Sequence, residues 1–151
     1  MPDRSFLNWR FFENGHRDLA ESLEAWSAKN LPVDHHDVDA ACRDLVTRLG
    51  RDGWLKPTAL DTDNPGPLDV RTLCITRETL ARHDGLADFA FAMQGLGTGA
   101  LSLFGTPEQR QWLAKTRAGK AISAFALSEP RSGSDVANTE MTASRDGDFY
   151  I

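Results

Sequence analysis

The sequence predicts a mainly α protein, in which an all-α domain over residues 1–119 is followed by the first strands of a β-domain over residues 120–151. Apolar residues recur at helical spacing in five segments before residue 119. Capping and breaking residues flank those segments. After Lys120 the pattern changes to short apolar runs that end in a hairpin signal. This order is typical either of an α+β arrangement or of an all-α domain followed by a β-domain.

The first two helices are predicted from their apolar stripes. Residues 6–29 form one helix that ends at Asn30 and Pro32, with a stripe of Trp9, Phe12, Leu19, Leu23 and Trp26. Residues 37–50 form the second helix, which Asp37 or Asp34 caps and Gly50 and Gly53 end. Its stripe consists of Val38, Cys42, Leu45 and Leu49.

Three further helices follow a loop at residues 56–69 that is rich in proline. The third spans residues 69–83, with an inward face of Val70, Leu73, Cys74, Leu80 and Ala81. The fourth, residues 85–103, is apolar nearly all round and is therefore predicted to be buried. Its three glycines indicate a closely packed partner, which is either another helix backbone or the chain of a ligand. The fifth runs from a capping box at Thr106-Pro107-Glu108-Gln109 to Arg117.

Strands are predicted after the fifth helix. Residues 121–127 form a compact apolar run, and residues 139–144 form a second run. Asp146-Gly147 is a hairpin turn signal that leads into residues 148–151.

Composition argues against several classes of function. The 151 residues carry a net charge of −5, which argues against a nucleic-acid groove or a membrane-surface patch. No run approaches about eighteen apolar residues, so no transmembrane helix is expected. The first residues lack an apolar leader. Cys42 and Cys74 are read as buried thiols in a reducing compartment, so a cytoplasmic location is expected. The cluster around His35 and His36 is interpreted as capping and surface charge, so no metal site is expected.

Residues 128–135 (Ser-Glu-Pro-Arg-Ser-Gly-Ser-Asp) have the composition that binds an anionic or carbonyl-rich ligand. Ser128 and Ser134 can donate hydroxyl protons, and Gly133 lets a ligand approach the backbone. Glu129 and Asp135 are interpreted as braces of the loop. The same residues are also those of an ordinary turn, so composition alone leaves both interpretations open.

The succession along the chain resembles the acyl-CoA dehydrogenase family. The resemblance rests on Phe104-Gly105-Thr106-Pro107-Glu108-Gln109, on Ala124-Phe125-Ala126-Leu127-Ser128-Glu129-Pro130 and on Gly133-Ser134-Asp135 at their spacing. It is clear over residues 70–151 and looser before them.

The resemblance implies an FAD-dependent enzyme that oxidises an acyl-CoA, with the cofactor bound by Phe125, Ala126, Leu127, Ser128, Gly133 and Ser134. Ser128, where the family usually has threonine, would hydrogen-bond the flavin near N5. Gly133 and Ser134 would contact the pyrophosphate, and Ser134 would also border the thioester of the substrate. The family further implies electron-transfer flavoprotein or a similar acceptor as partner, and a homo-oligomer, commonly a homotetramer.

Two departures from the family matter. Arg131-Ser132 replaces a small pair, and Arg131 either meets a CoA phosphate or points to solvent. The catalytic base of the family is expected beyond Ile151, so no catalytic residue is assigned, and the isolated chain is expected to be inactive and to bind FAD weakly. The alternatives are a flavin oxidase or monooxygenase of the same fold, one half of a split enzyme, and a non-catalytic helical module that has lost its flavin.

Overall fold

The structure is a computed structural model that describes residues 3–63 and 66–151, and it confirms the mainly α fold. Five helices account for most of the described residues: α1 (Asn14–Asn30), α2 (Val38–Arg51), α3 (Val70–His83), α4 (Gly85–Phe104) and α5 (Pro107–Arg117). Side chains accept from backbone N–H groups at the starts of the last four, since Asp37, Asp69, Asp84 and Thr106 each cap one helix. The capping box at Thr106 and Gln109 is confirmed.

The first helix begins eight residues later than predicted. Residues Ser5–Asn8 form a short 3-10 helix, and a turn leads from there to α1. The side chain of Arg17 donates to the carbonyl oxygens of Leu7 and Phe12 at 2.9 Å each. These bonds fold the segment back over the start of α1, and the periodicity of Trp9 and Phe12 therefore does not report a continuous helix.

The core lies where α1 packs on α3 and where α2, α3 and α5 pack on α4. Its centre consists of Leu23, Leu45, Leu49, Leu55, Leu80 and Phe91. The prediction for α3 was partly wrong, because Val70, Cys74 and Ala81 are exposed. The buried face of α3 instead carries Ile75, Thr76, Thr79 and Leu80. Thr76 fits this face because its hydroxyl bonds its own helix, donating to the carbonyl of Thr72 at 2.8 Å, whereas the buried hydroxyl of Thr79 has no partner within the described residues.

The thiols are less buried than predicted. Cys42 is half-buried and Cys74 is exposed. Cys74 shares the outer side of α3 with Val70, because the threonine-bearing face turns towards α1 and α4.

The prediction that α4 is buried on all sides was wrong. Phe89, Leu96 and Leu103 recur every seven residues and are all more than half exposed, so one face of α4 is open. The glycines were assigned to a close contact, and Gly97 makes one. A Cβ there would lie 2.7 Å from the Ala124 nitrogen, so the partner is a non-helical segment of this chain and neither a second helix nor a ligand.

The loop predicted at residues 56–69 contains a 3-10 helix at Lys56–Thr58 and is otherwise without helix or strand over residues 59–63 and 66–69. Asn64 and Pro65 of that prediction lie outside the described residues. No helix in the described part of the chain is both long and apolar enough to cross a bilayer.

The predicted strands at residues 121–127 and 139–144 are absent from the structure. The strands found within residues 3–63 and 66–151 are β1 (Arg145–Asp146) and β2 (Phe149–Tyr150), which pair antiparallel. Their turn has Gly147 at φ +60°, so the hairpin predicted at Asp146-Gly147 is confirmed. A strand requires a neighbour that pairs its backbone, and residues 121–127 lie beside a helix instead.

The helical body ends at a close backbone contact between Gly50 of α2 and Gly119. Gly119 has φ +67°, and a Cβ there would lie 2.5 Å from the carbonyl oxygen of Val46. Only glycine satisfies both conditions without strain. This contact turns the chain from the end of α5 towards α4, beside which the predicted site begins.

Candidate functional site

The segment of residues 121–128 reaches the predicted site along the side of α4. Ser123 fixes it there: its backbone N–H donates to Oε1 of Gln94 at 2.9 Å, and its hydroxyl donates to the backbone carbonyl of Gln94 at 3.0 Å. Gln94 is almost fully buried, with 1% exposure. No other residue from 121 to 128 forms a hydrogen bond to the described remainder of the chain.

The residues predicted to border a cofactor ring follow directly. Phe125 and Leu127 remain 49% and 40% exposed, and Ala126 and Ser128 are exposed as well. The hydroxyls of Ser128 and Ser134 form no hydrogen bond within the described residues. The segment therefore presents an apolar edge that ends in an unpaired hydroxyl.

The loop at residues 128–135 is closed by its own acids. Backbone bonds between Glu129 and Ser132 form a tight turn, with N to O distances of 2.6 and 3.3 Å. The Glu129 carboxylate accepts from the N–H groups of Glu140 and Met141 at 2.7 and 2.9 Å. The carboxylate of Asp135 accepts from the side-chain amide of Asn138. Both acids thus brace the loop, as interpreted from the sequence.

Ser128 and Gly133 come together across this turn. A Cβ on Gly133 would lie 4.0 Å from the Ser128 hydroxyl oxygen, which is ordinary contact distance. Gly133 and Ser134 are exposed, whereas Ser132 is buried and donates its hydroxyl to the carbonyl of Asp135 at 2.7 Å. The result is an outward-facing set of hydroxyl donors beside a glycine backbone. Such donors suit phosphate oxygens and the polar edge of a heteroaromatic ring, so the set fits FAD.

The Arg131 guanidinium is 81% exposed and lies 3.6 Å from the Glu140 carboxylate. In the described part of the chain, no group of three His, Cys, Asp or Glu side chains is placed to hold a metal ion.

A cavity of about 290 Å³ lies between α2, α4 and the segment. Phe89, Met93 and Gln94 line it from α4, and Ile122, Ser123 and Ala124 line it from the segment. Cys42 and Asp39 face it from α2. Burial raises the pKa of the Cys42 thiol, and the nearby Asp39 charge adds to that effect, so this side of the cavity favours a neutral thiol.

The hydrogen bonds between Gln94 and Ser123 were not predicted from the sequence. A signal for Gln94 exists, because a polar side chain within an apolar helix must find a partner if it is buried. Nothing local indicates that Ser123, 29 residues later, is that partner.

Comparison with known proteins is consistent with this architecture. Residues 13–120 match the acyl-CoA dehydrogenase N-terminal domain family. A probable acyl-CoA dehydrogenase of Mycobacterium leprae is 31% identical over 140 residues, which cover 90% of this chain and 36% of that protein. The mitochondrial short-chain specific acyl-CoA dehydrogenase of Bos taurus is 34% identical over 139 residues, 89% of this chain and 32% of that one.

A solved structure agrees with the sequence relatives. The crystal structure of acyl-CoA dehydrogenase from Geobacillus kaustophilus superposes with a TM-score of 0.75 at 26% identity, over 94% of this chain and 38% of that one. The chain thus spans about a third of the length of the curated relatives it matches. The match over residues 13–120, together with these relatives, shows that the chain belongs to the acyl-CoA dehydrogenase family.

Proposed function

We propose that this chain is the N-terminal part of an FAD-dependent acyl-CoA dehydrogenase that converts an acyl-CoA thioester into the 2,3-enoyl-CoA. Residues 1–119 are its helical domain, and residues 120–151 begin a middle β-domain. The observation that carries the proposal is a set of exposed residues in a family member: the apolar edge Phe125–Leu127, the unpaired hydroxyls of Ser128 and Ser134, and the open backbone of Gly133.

Each residue has a distinct part in this proposal. Phe125, Ala126 and Leu127 border the flavin ring, and Ser128 donates a hydrogen bond near N5. Gly133 and Ser134 bind the pyrophosphate, and Ser134 also borders the substrate thioester. When bound, FAD supplies the acceptor for the β-hydride. A donor fixed near that acceptor stabilises the charge that develops there during reduction.

The open face of α4 suits the acyl chain. Phe89, Met93 and Leu96 lie along this face, and Met93 also lines the cavity beside Ser123. An apolar helix face beside the segment that carries the proposed flavin-bordering residues supports a fatty acyl substrate.

The base that removes the α-proton lies outside this chain in the proposal. Glu129 is unsuited to the role because two backbone N–H groups hold its carboxylate. Glu108 sits in the first turn of α5, where a backbone hydrogen bond lowers its pKa. We therefore expect the 151-residue chain alone to be inactive and to bind FAD weakly.

The electron acceptor, location, oligomeric state and substrate class are proposed from the family. Electron-transfer flavoprotein or a similar protein accepts the electrons, and the complete enzyme is a cytoplasmic homo-oligomer, most simply a homotetramer. Acyl-CoA is the substrate class.

The test uses the complete polypeptide that carries this sequence. Its absorption spectrum is expected to show bound flavin, and anaerobic addition of a saturated acyl-CoA is expected to bleach the flavin and yield one enoyl-CoA per flavin. Ser128→Ala is expected to slow the bleaching about 10- to 100-fold, and Ser128→Thr to retain it. A colourless polypeptide would refute the proposal and favour a helical module without flavin. Reoxidation by O₂ with peroxide release would instead identify an oxidase.

A further inference from the structure

We propose that Gln94 is a positioning residue that fixes the flavin-bordering segment, through Ser123, against α4. This inference rests on the proposed function, because it concerns the placement of Phe125–Ser128 relative to a flavin. The structural observation beneath it is independent of any ligand. Gln94 and Ser123 form the sole hydrogen-bonded tie between residues 121–128 and the described helices.

The buried amide of Gln94 explains why this tie is specific. The Gln94 side chain is 1% exposed, and both partners of its Oε1 belong to Ser123: the backbone N–H at 2.9 Å and the hydroxyl at 3.2 Å. Its Nε2 donates to the carbonyl of Ala90 at 3.3 Å, and that bond holds the amide with its oxygen towards the segment. A buried acceptor that loses its donor is costly, so the segment has one favoured position along α4.

Gly97 supports the same placement by contact. It lies one turn beyond Gln94, and a Cβ there would approach both Ser123 Cβ and the Ala124 nitrogen to 2.7 Å. The segment therefore lies directly on the helix backbone at this point. The hydrogen bonds from Gln94 and the close approach of Gly97 therefore both act at Ser123.

The hydrogen bonds at Ser123 matter for the proposed function because Ser123 lies close in sequence to the flavin-bordering residues. Ser123 precedes Phe125 by two residues and Ser128 by five, and these residues form no hydrogen bond of their own to the described helices. A shift of Ser123 along α4 would therefore displace the Ser128 hydroxyl with it. Gln94 thereby sets the position of the Ser128 hydroxyl relative to α4, whose open face is proposed to bind the acyl chain.

The first measurement is amide hydrogen exchange in the 151-residue chain. Gln94→Ala is expected to accelerate exchange at Ser123 about tenfold or more, because its N–H loses its acceptor. Gln94→Asn keeps the amide but is one methylene shorter, and it is expected to behave like Gln94→Ala. Thr76→Val is the matched control. Thr76 is equally buried but lies on α3, where its hydroxyl donates to the carbonyl of Thr72 at 2.8 Å, so its loss does not touch Gln94 or Ser123.

The second measurement separates positioning from a merely structural role. In the complete polypeptide, Gln94→Ala is expected to raise the dissociation constant for FAD about 10-fold and to shift the flavin absorption band, while Thr76→Val leaves both unchanged. Unchanged exchange at Ser123, or an unchanged dissociation constant with faster exchange, would overturn the inference alone. Absence of flavin from the unmodified polypeptide would overturn the proposed function and this inference together.

Discussion

A methyl group added at Gly97 tests whether residues 121–128 lie against α4 in solution. In Gly97→Ala the new Cβ would lie 2.7 Å from the Ala124 nitrogen, 2.7 Å from Ser123 Cβ and 2.8 Å from the Ala124 carbonyl oxygen. Two of these atoms are backbone, so no side-chain rotation relieves the contact. Overpacking of this kind costs about 1–3 kcal/mol. Replacing glycine by alanine inside a helix offsets about 0.5–1 kcal/mol of that cost.

The matched control is Gly99→Ala on the same helix. A Cβ at Gly99 would meet no atom within 4 Å, so this variant is expected to gain about 0.5–1 kcal/mol of stability. The two variants should therefore differ by about 1–3 kcal/mol in the free energy of unfolding, which urea titration followed by circular dichroism measures. Equal stabilities, within about 0.5 kcal/mol, would show that the segment does not occupy this position.

Three further predictions concern the helical body. Asp84→Ala removes the cap of α4 and leaves the half-buried N–H of Val33 without its acceptor, so the free energy of unfolding should fall by about 2–4 kcal/mol in urea titration; a loss below about 0.5 kcal/mol would contradict this role. Hydrogen bonds from the Arg51 guanidinium and the Trp26 indole N–H lower the pKa of Asp52 to about 2. Its folded pKa is thus below its unfolded value of about 3.9, so its contribution to stability is complete above that value and is lost as the pH falls towards 2. Asp52→Asn should flatten the acid limb of stability against pH, and an unchanged limb would exclude this pair as a source of acid sensitivity. Cys42, whose thiol pKa is raised, should react with iodoacetamide more slowly than the exposed Cys74 at neutral pH, as judged by mass spectrometry of the labelled peptides; the reverse order would contradict the described burial.

The helices with local end signals were the most predictable part of the fold. The starts of α2, α3 and α5 follow from caps at Asp37, Asp69 and Thr106, which bond the first turn of their own helices. Such signals lie within a few residues of the boundary they set. The prediction failed for α1, where the Glu13 N–H donates to Nδ1 of His16 at the start of the helix and Arg17 bonds the carbonyl of Leu7 in the preceding segment. Periodicity cannot report a contact of that kind.

The segment after α5 shows a second limit of local patterns. Its apolar run looks like a strand, but a strand exists only when a neighbour pairs its backbone, and alanine has little preference for one. The sequence did predict which residues form the exposed loop around Ser128 and Gly133, since serine, proline and glycine are local turn formers. It could not predict that Gln94 anchors Ser123, because only tertiary packing brings the two together.

The hydrogen bonds from the N–H groups of Glu140 and Met141 to the Glu129 carboxylate have a consequence for ligand binding. This carboxylate closes a stretch of about a dozen residues, so the entropy of ordering that stretch is lost when the protein folds and not when a ligand arrives. Under the proposed function, a loop ordered in this way would bind the cofactor without paying that entropy again. Glu129 would in this way contribute to the affinity for the cofactor without contacting it.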